Sequence, residues 1–113
     1  MATRESIADG EPAAVTPARC RATAAAHERM AVALASVGNR NDAAQATVAA
    51  ITCRAYALGP WRDAAAADLI ALVEALQNVQ KRNRPTSVAW NLAHEQLTPL
   101  FAEMARRTEV GAA

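Results

Sequence analysis

GPWRDAAAADLIALVEALQNVQKRNR, residues 59–84, has the clearest beginning, face and end of any stretch in the chain. Pro60 suits a first helical turn, where its missing N–H forfeits no bond, and Gly59 can stand before it as the cap. At about 100° per residue, Trp61, Ala65, Leu69, Leu72, Val73, Leu76 and Val79 fall on one side, with Ile70 at its edge. Asp63, Glu74, Asn78 and Lys81 fall on the other. Acids come early and Lys81, Arg82 and Arg84 come late, as the helix dipole favours. Pro85 then stops the run. The spacing predicts one amphipathic helix of about six turns.

Working outward, the same signals recur. Thr16-Pro17 is a hydroxyl cap followed by proline in the first turn, and it predicts a helix from Pro17 to Val37, stopped by Gly38. Its inward face would carry Ala22, Thr23, Ala26, Met30, Ala33, Leu34 and Val37. Asn39 to Asp42 reads as a turn, and Asp42 with Gln45 forms a capping-box-like start. The second helix would then run to Leu58, with Ala44, Val48, Ile51, Thr52, Ala55 and Leu58 inward and Tyr56 at the edge. After Pro85, Thr86 or Ser87 caps a fourth helix over about 87–109. Trp90, Ala93, Leu97, Leu100, Phe101 and Met104 keep one face across Pro99, which falls on the solvent side. One helix bent at Pro99 is therefore expected, rather than two.

Four amphipathic helices on short connections predict an all-α fold, an up-down-up-down antiparallel four-helix bundle over residues 16–110. Residues 1–15 mix charge, Gly and Pro with little apolar content and are expected to be a flexible tail. Composition agrees with the helical reading. Alanine, the best helix former, occurs 31 times in 113 residues, against a single Phe, a single Tyr and two Trp. A lone lysine beside eleven arginines is the codon bias expected of a GC-rich bacterial or phage genome.

Charge and segment composition narrow the function. The formal net charge is +1 and no element is strongly basic, which argues against a nucleic-acid binder, whose affinity comes largely from phosphate neutralisation. No run approaches the roughly 20 apolar residues of a membrane span. MATRESIADGEP lacks the apolar core of a signal peptide, so a cytoplasmic location is expected. In a hairpin turning near Gly38, Cys20 and Cys53 would sit about 9 Å out of register, so two reduced thiols are expected.

No catalytic constellation emerges. His27-Glu28 and His94-Glu95 both read Ala-His-Glu, making His27 and His94 the candidate metal ligands. The zinc-protease pattern needs a second His four residues on, where Ala31 and Thr98 stand. The di-iron bundle pattern needs Glu three residues before, where Ala24 and Asn91 stand. Histidine phosphotransfer domains share the length and helix count, but the lysine and glycine that follow their histidine are missing here. Serine is scarce and the glycines are scattered, so neither a nucleophile with its base nor a phosphate loop is evident, and no cofactor is expected.

Lys81, Arg82 and Arg84 form the one basic cluster, placed as a helix C-terminus favours; Arg106-Arg107 has the same explanation. Outside the core face of the fourth helix, Val88, Leu92 and Pro99 make a second apolar stripe with Glu95 beside them, and such a stripe marks a candidate partner surface. Short loops, balanced charge, missing site chemistry and that stripe lead to one expectation. The chain is a non-enzymatic helical module that binds another protein, including itself as a homodimer. A metal or small-molecule binder built on His27 and His94 is the alternative, and a nucleic-acid-binding regulator the next.

Overall fold

The computed structural model describes residues 16–112, so the 1–15 tail lies outside it; the described residues form four α-helices, a short 3₁₀ turn and no strand. The first helix, α1, is Pro17–Ser36. Thr16 opens it, its Oγ1 accepting from the Arg19 amide at 3.1 Å. A Schellman turn closes it. The Gly38 amide donates to the Ala35 carbonyl at 3.0 Å and the Asn39 amide to the Leu34 carbonyl at 2.9 Å. Gly38 sits at φ 81°, which a residue with a Cβ adopts only with strain.

Asn39 then starts the next helix, one turn earlier than the Asp42 signal predicts. Its Oδ1 accepts from the Asp42 amide at 3.3 Å while its Nδ2 donates to Asp42 Oδ2 at 2.9 Å, and α2 is Arg40–Ala57. After this short link α2 packs on α1, and Arg54 grips Glu28 across the pair at 2.8 Å. Cys20 and Cys53 are unpaired thiols.

The stretch read as one helix from Pro60 divides in two. Trp61–Asp63 is a 3₁₀ turn, Ala64 and Ala65 are extended, and α3 is Ala66–Arg82. Four consecutive alanines set no preferred starting point, so a tertiary contact decides. Arg107 Nη2 donates to the Trp61 and Ala64 carbonyls at 2.6 Å each, satisfying two acceptors outside any α-helical ladder. Trp61 thereby packs against the core instead of extending α3.

Ser87 caps α4, Val88–Ala112, its Oγ accepting from the Trp90 amide at 3.3 Å. The helix runs unbroken through Pro99, whose ring is exposed, as the continuous apolar face requires.

The core joins Val48, Ile51 and Ala55 of α2 to Leu69, Leu72, Val73, Leu76 and Val79 of α3 and Ala89, Ala93, Leu97 and Leu100 of α4. No α1 residue belongs to it. That helix instead packs on a second buried side of α2, formed by Ala43, Ala46 and Ala50, and buries only Cys20 and Ala24. The face expected inward is outward: Ala22, Thr23, Ala26, Met30, Ala33 and Val37 are all exposed, and only Leu34 is half-buried. The periodicity favoured the bulkiest side, whereas a stripe of alanine methyls admits a close neighbour only through small side chains.

Burying each of Leu69, Leu76 and Leu100 stabilises by roughly 1.5–3 kcal/mol, while an alanine methyl such as that of Ala24 contributes about 0.8. By that measure α1 is the lightly held element.

Candidate interaction surface

Among the described residues, one apolar side of α1 is covered by no other element. Ala22, Ala26, Met30, Ala33 and Val37 repeat every three or four residues and so share one face. Met30 is 52% exposed and Val37 76%, and exposed Arg29, spaced three residues from Ala26 and four from Ala33, borders the row. Arg19 stands at its N-terminal end. The exposed Glu28–Arg54 pair lies away from this row, on the flank where the two helices meet; bidentate hydrogen bonding from Arg54 holds the Glu28 carboxyl below its usual range.

The stripe expected on α4 is smaller than its sequence implied. Val88 is 59% exposed, and Glu95 and Pro99 are exposed as well. Leu92, however, packs against the core. The reason is a rotation of the α4 face. Ala89, absent from the expected set, is buried, while Phe101 is 46% exposed and Trp90 only half-buried. Small Ala89 lets α4 settle close to its neighbours and draws Leu92 in on its flank.

The two histidines are not brought together. His27 is half-buried on α1, and His94 is exposed on α4 with its ring stacked on Trp90, centroids 5.4 Å apart. Helices α1 and α4 are not a packed pair, and among the described residues no group of three His, Cys, Asp or Glu side chains could share a metal. Lys81 and Arg82 are exposed in the last turn of α3, Arg84 follows in the loop, and none makes an ion pair among the described residues. Asn83 ends the helix, its Nδ2 donating to the Val79 carbonyl at 2.7 Å.

Arg106 and Arg107, indistinguishable by sequence, have different tasks. Both bind Glu103, at 2.6 and 2.8 Å, and together they pull its carboxyl down to about 2, Arg106 contributing most. Only Arg107 continues to the 3₁₀ turn. Nothing in the local sequence distinguishes it, since its partners are carbonyls far away in the chain.

Two open depressions lie among the described residues. One, of about 580 Å³, lies where α2 meets the 3₁₀ turn, with Tyr56, Pro60 and Trp61 on its walls and Arg62 and Glu103 at its rim. The other, of about 240 Å³, lies among α1, α2 and α3, beside Arg21, Arg54 and Asp68. Neither gathers a nucleophile with a base or an enclosed apolar cavity with convergent polar groups, the features of a built small-molecule site. No known protein family, curated protein or solved structure matches the chain.

Proposed function

We propose that this chain is a non-enzymatic protein–protein interaction module, a small regulator, adaptor or inhibitor, that works in the cytoplasm by presenting the open face of α1. The observation that carries the reading is the mismatch between what α1 offers and what it buries. It exposes Ala22, Ala26, Met30, Ala33 and Val37 in one row, while only Cys20 and Ala24 are fully buried and Ala25, His27, Ala31 and Leu34 half-buried. Helices in folded chains draw most of their stability from packing an apolar face. A covering surface would supply the missing burial. Val88 and Pro99 on α4 form a smaller accessory patch.

The helices are taken to run up-down-up-down, and two contacts support that order. The Glu28–Arg54 pair matches an α1–α2 hairpin, and Arg107 reaching Trp61 and Ala64 places the far part of α4 beside the α2–α3 connection. In this reading the bundle is open on its α1 side and a partner closes it. Native mass spectrometry of protein purified gently from its own host tests the proposal. Wild type should carry a protein, a second copy or another chain, at fixed stoichiometry, and Met30→Glu should lose it. Wild type emerging bare and monomeric at every concentration would refute it.

A further inference from the structure

The open face of α1 continues onto α2. Gln45, Ala49, Thr52 and Tyr56 recur at helical spacing between the α1-facing row, Ala43, Ala46 and Ala50, and the core-facing row, Val48, Ile51 and Ala55. Tyr56 is 70% exposed and makes no side-chain hydrogen bond among the described residues. By helical phase this row lies on the same broad side of the hairpin as Ala22, Ala26, Met30, Ala33 and Val37. The Glu28–Arg54 pair takes the other side, where α3 approaches through Asp68. Among the described residues no other helix packs on this side of the hairpin, where Tyr56 is exposed and Gln45, Ala49 and Thr52 are half-buried.

Resting on the interaction reading above, we infer that the covering partner is a second copy of this chain. The two hairpins meet face to face about a two-fold axis near residues 28 and 49, α1 antiparallel on α1 and α2 antiparallel on α2. The first support is size. Helices about 30 Å long and 8–10 Å apart present roughly 500–600 Å² per copy, and doubling that reaches the roughly 1,000 Å² that a specific interface needs.

The second support is charge. Arg19 stands at the first turn of α1 and Asp42 at the first turn of α2, so the face is positive at one end and negative at the other. The two-fold sets Arg19 beside the partner's Asp42, and it brings Tyr56 Oη toward the same carboxylate. α1 has no acid in its first turn and no base in its last. Laying it antiparallel on its copy sets each positive helix end beside a negative one and brings arginine to carbonyls that lack a cation of their own.

The third support is shape. In this register Met30 lies over the partner's Ala26, and Ala49 lies over the partner's Ala49, so bulk meets methyl along α1 and the α2 backbones approach closely. Only the antiparallel two-fold satisfies charge and shape together. A parallel arrangement would put α1 over α2 and leave Asp42 without a cation.

Sedimentation equilibrium of the full chain, from low-micromolar to sub-millimolar concentration, reads the inference. The mass should rise from 11.9 kDa toward twice that value. Met30→Glu should hold it at 11.9 kDa with unchanged helical circular dichroism, whereas Val32→Glu, on another side of α1, should dimerise like wild type. Ala49→Cys should cross-link to itself on mild oxidation, giving a covalent dimer that wild type, with Cys20 buried and Cys53 half-buried, does not form. A wild-type dimer that Met30→Glu leaves intact and Ala49→Cys does not trap would overturn this interface. A monomer that leaves its host holding a different protein, released by Met30→Glu, would overturn the second copy and keep the interaction reading. A monomer that holds nothing would overturn both.

Discussion

Arg106 and Arg107 are adjacent, identical in type and bound to one carboxylate, yet their removal should have unequal effects. Arg107→Met keeps the stem and removes Nη2, with its bonds of 2.6 Å to the Trp61 and Ala64 carbonyls. A hydrogen bond from a charged donor contributes about 1.5–3 kcal/mol. The guanidinium is 26% exposed and the 3₁₀ turn borders an open depression, so water recovers part of what is lost. A net cost of about 2 kcal/mol follows for the two bonds together. For a domain of this size that lowers the melting temperature by roughly 8–16 °C. Arg106→Met removes a solvent-screened pair three residues apart, and its unfolding midpoint should stay close to that of wild type. Urea unfolding followed by circular dichroism measures both, with the midpoint as readout at constant slope. Equal midpoints for the two variants would refute the pinning of the 3₁₀ turn by Arg107.

Other expectations concern the core, the turns and pH. Leu76→Ala empties a site 1% exposed where α2, α3 and α4 meet, and should cost about 3 kcal/mol in the same assay. Gly38→Ala should cost about 1 kcal/mol, because φ 81° suits no Cβ, whereas Thr86→Gly should stabilise by about 0.5–1, since Thr86 already sits at φ 72°. Glu103 is held at about 2, below its ordinary value of 4.5, by the hydrogen bonds of Arg106 and then Arg107. A depressed folded-state value gives stability that is complete above about 4.5 and lost as pH falls toward 2. Unfolding midpoints from pH 7 to 2.5 should drop over that interval, with a shallower drop in Glu103→Gln.

How much of this was legible depended on whether the signal was local. The face of α3 was fully readable, because Leu69, Leu72, Val73, Leu76 and Val79 are large, regularly spaced and all buried. Thr16, Ser87 and Gly38 marked helix ends through their own chemistry. In α1 the same logic failed. Hydrophobic periodicity weighs bulk, and it chose Met30 and Val37 over Cys20 and Ala24; which side an alanine-rich helix buries is set by its neighbour's profile. The 3₁₀ break at Trp61 was illegible for a related reason, since its determinant, Arg107, stands far along the chain. On α4, Ala89 carried no weight as a small residue, yet its burial turned Leu92 inward and Phe101 out.

In the proposed assembly α1, held lightly within one chain, is covered from outside. Hydrogen–deuterium exchange across a dilution series reads both properties. In dilute protein the amides of residues 20–36 should exchange far faster than those of residues 69–80, whose side chains fill the core. Raising the concentration should slow α1 and leave α3 unchanged, and Met30→Glu should abolish that slowing. Exchange in α1 as slow as in α3, and indifferent to concentration, would contradict the account.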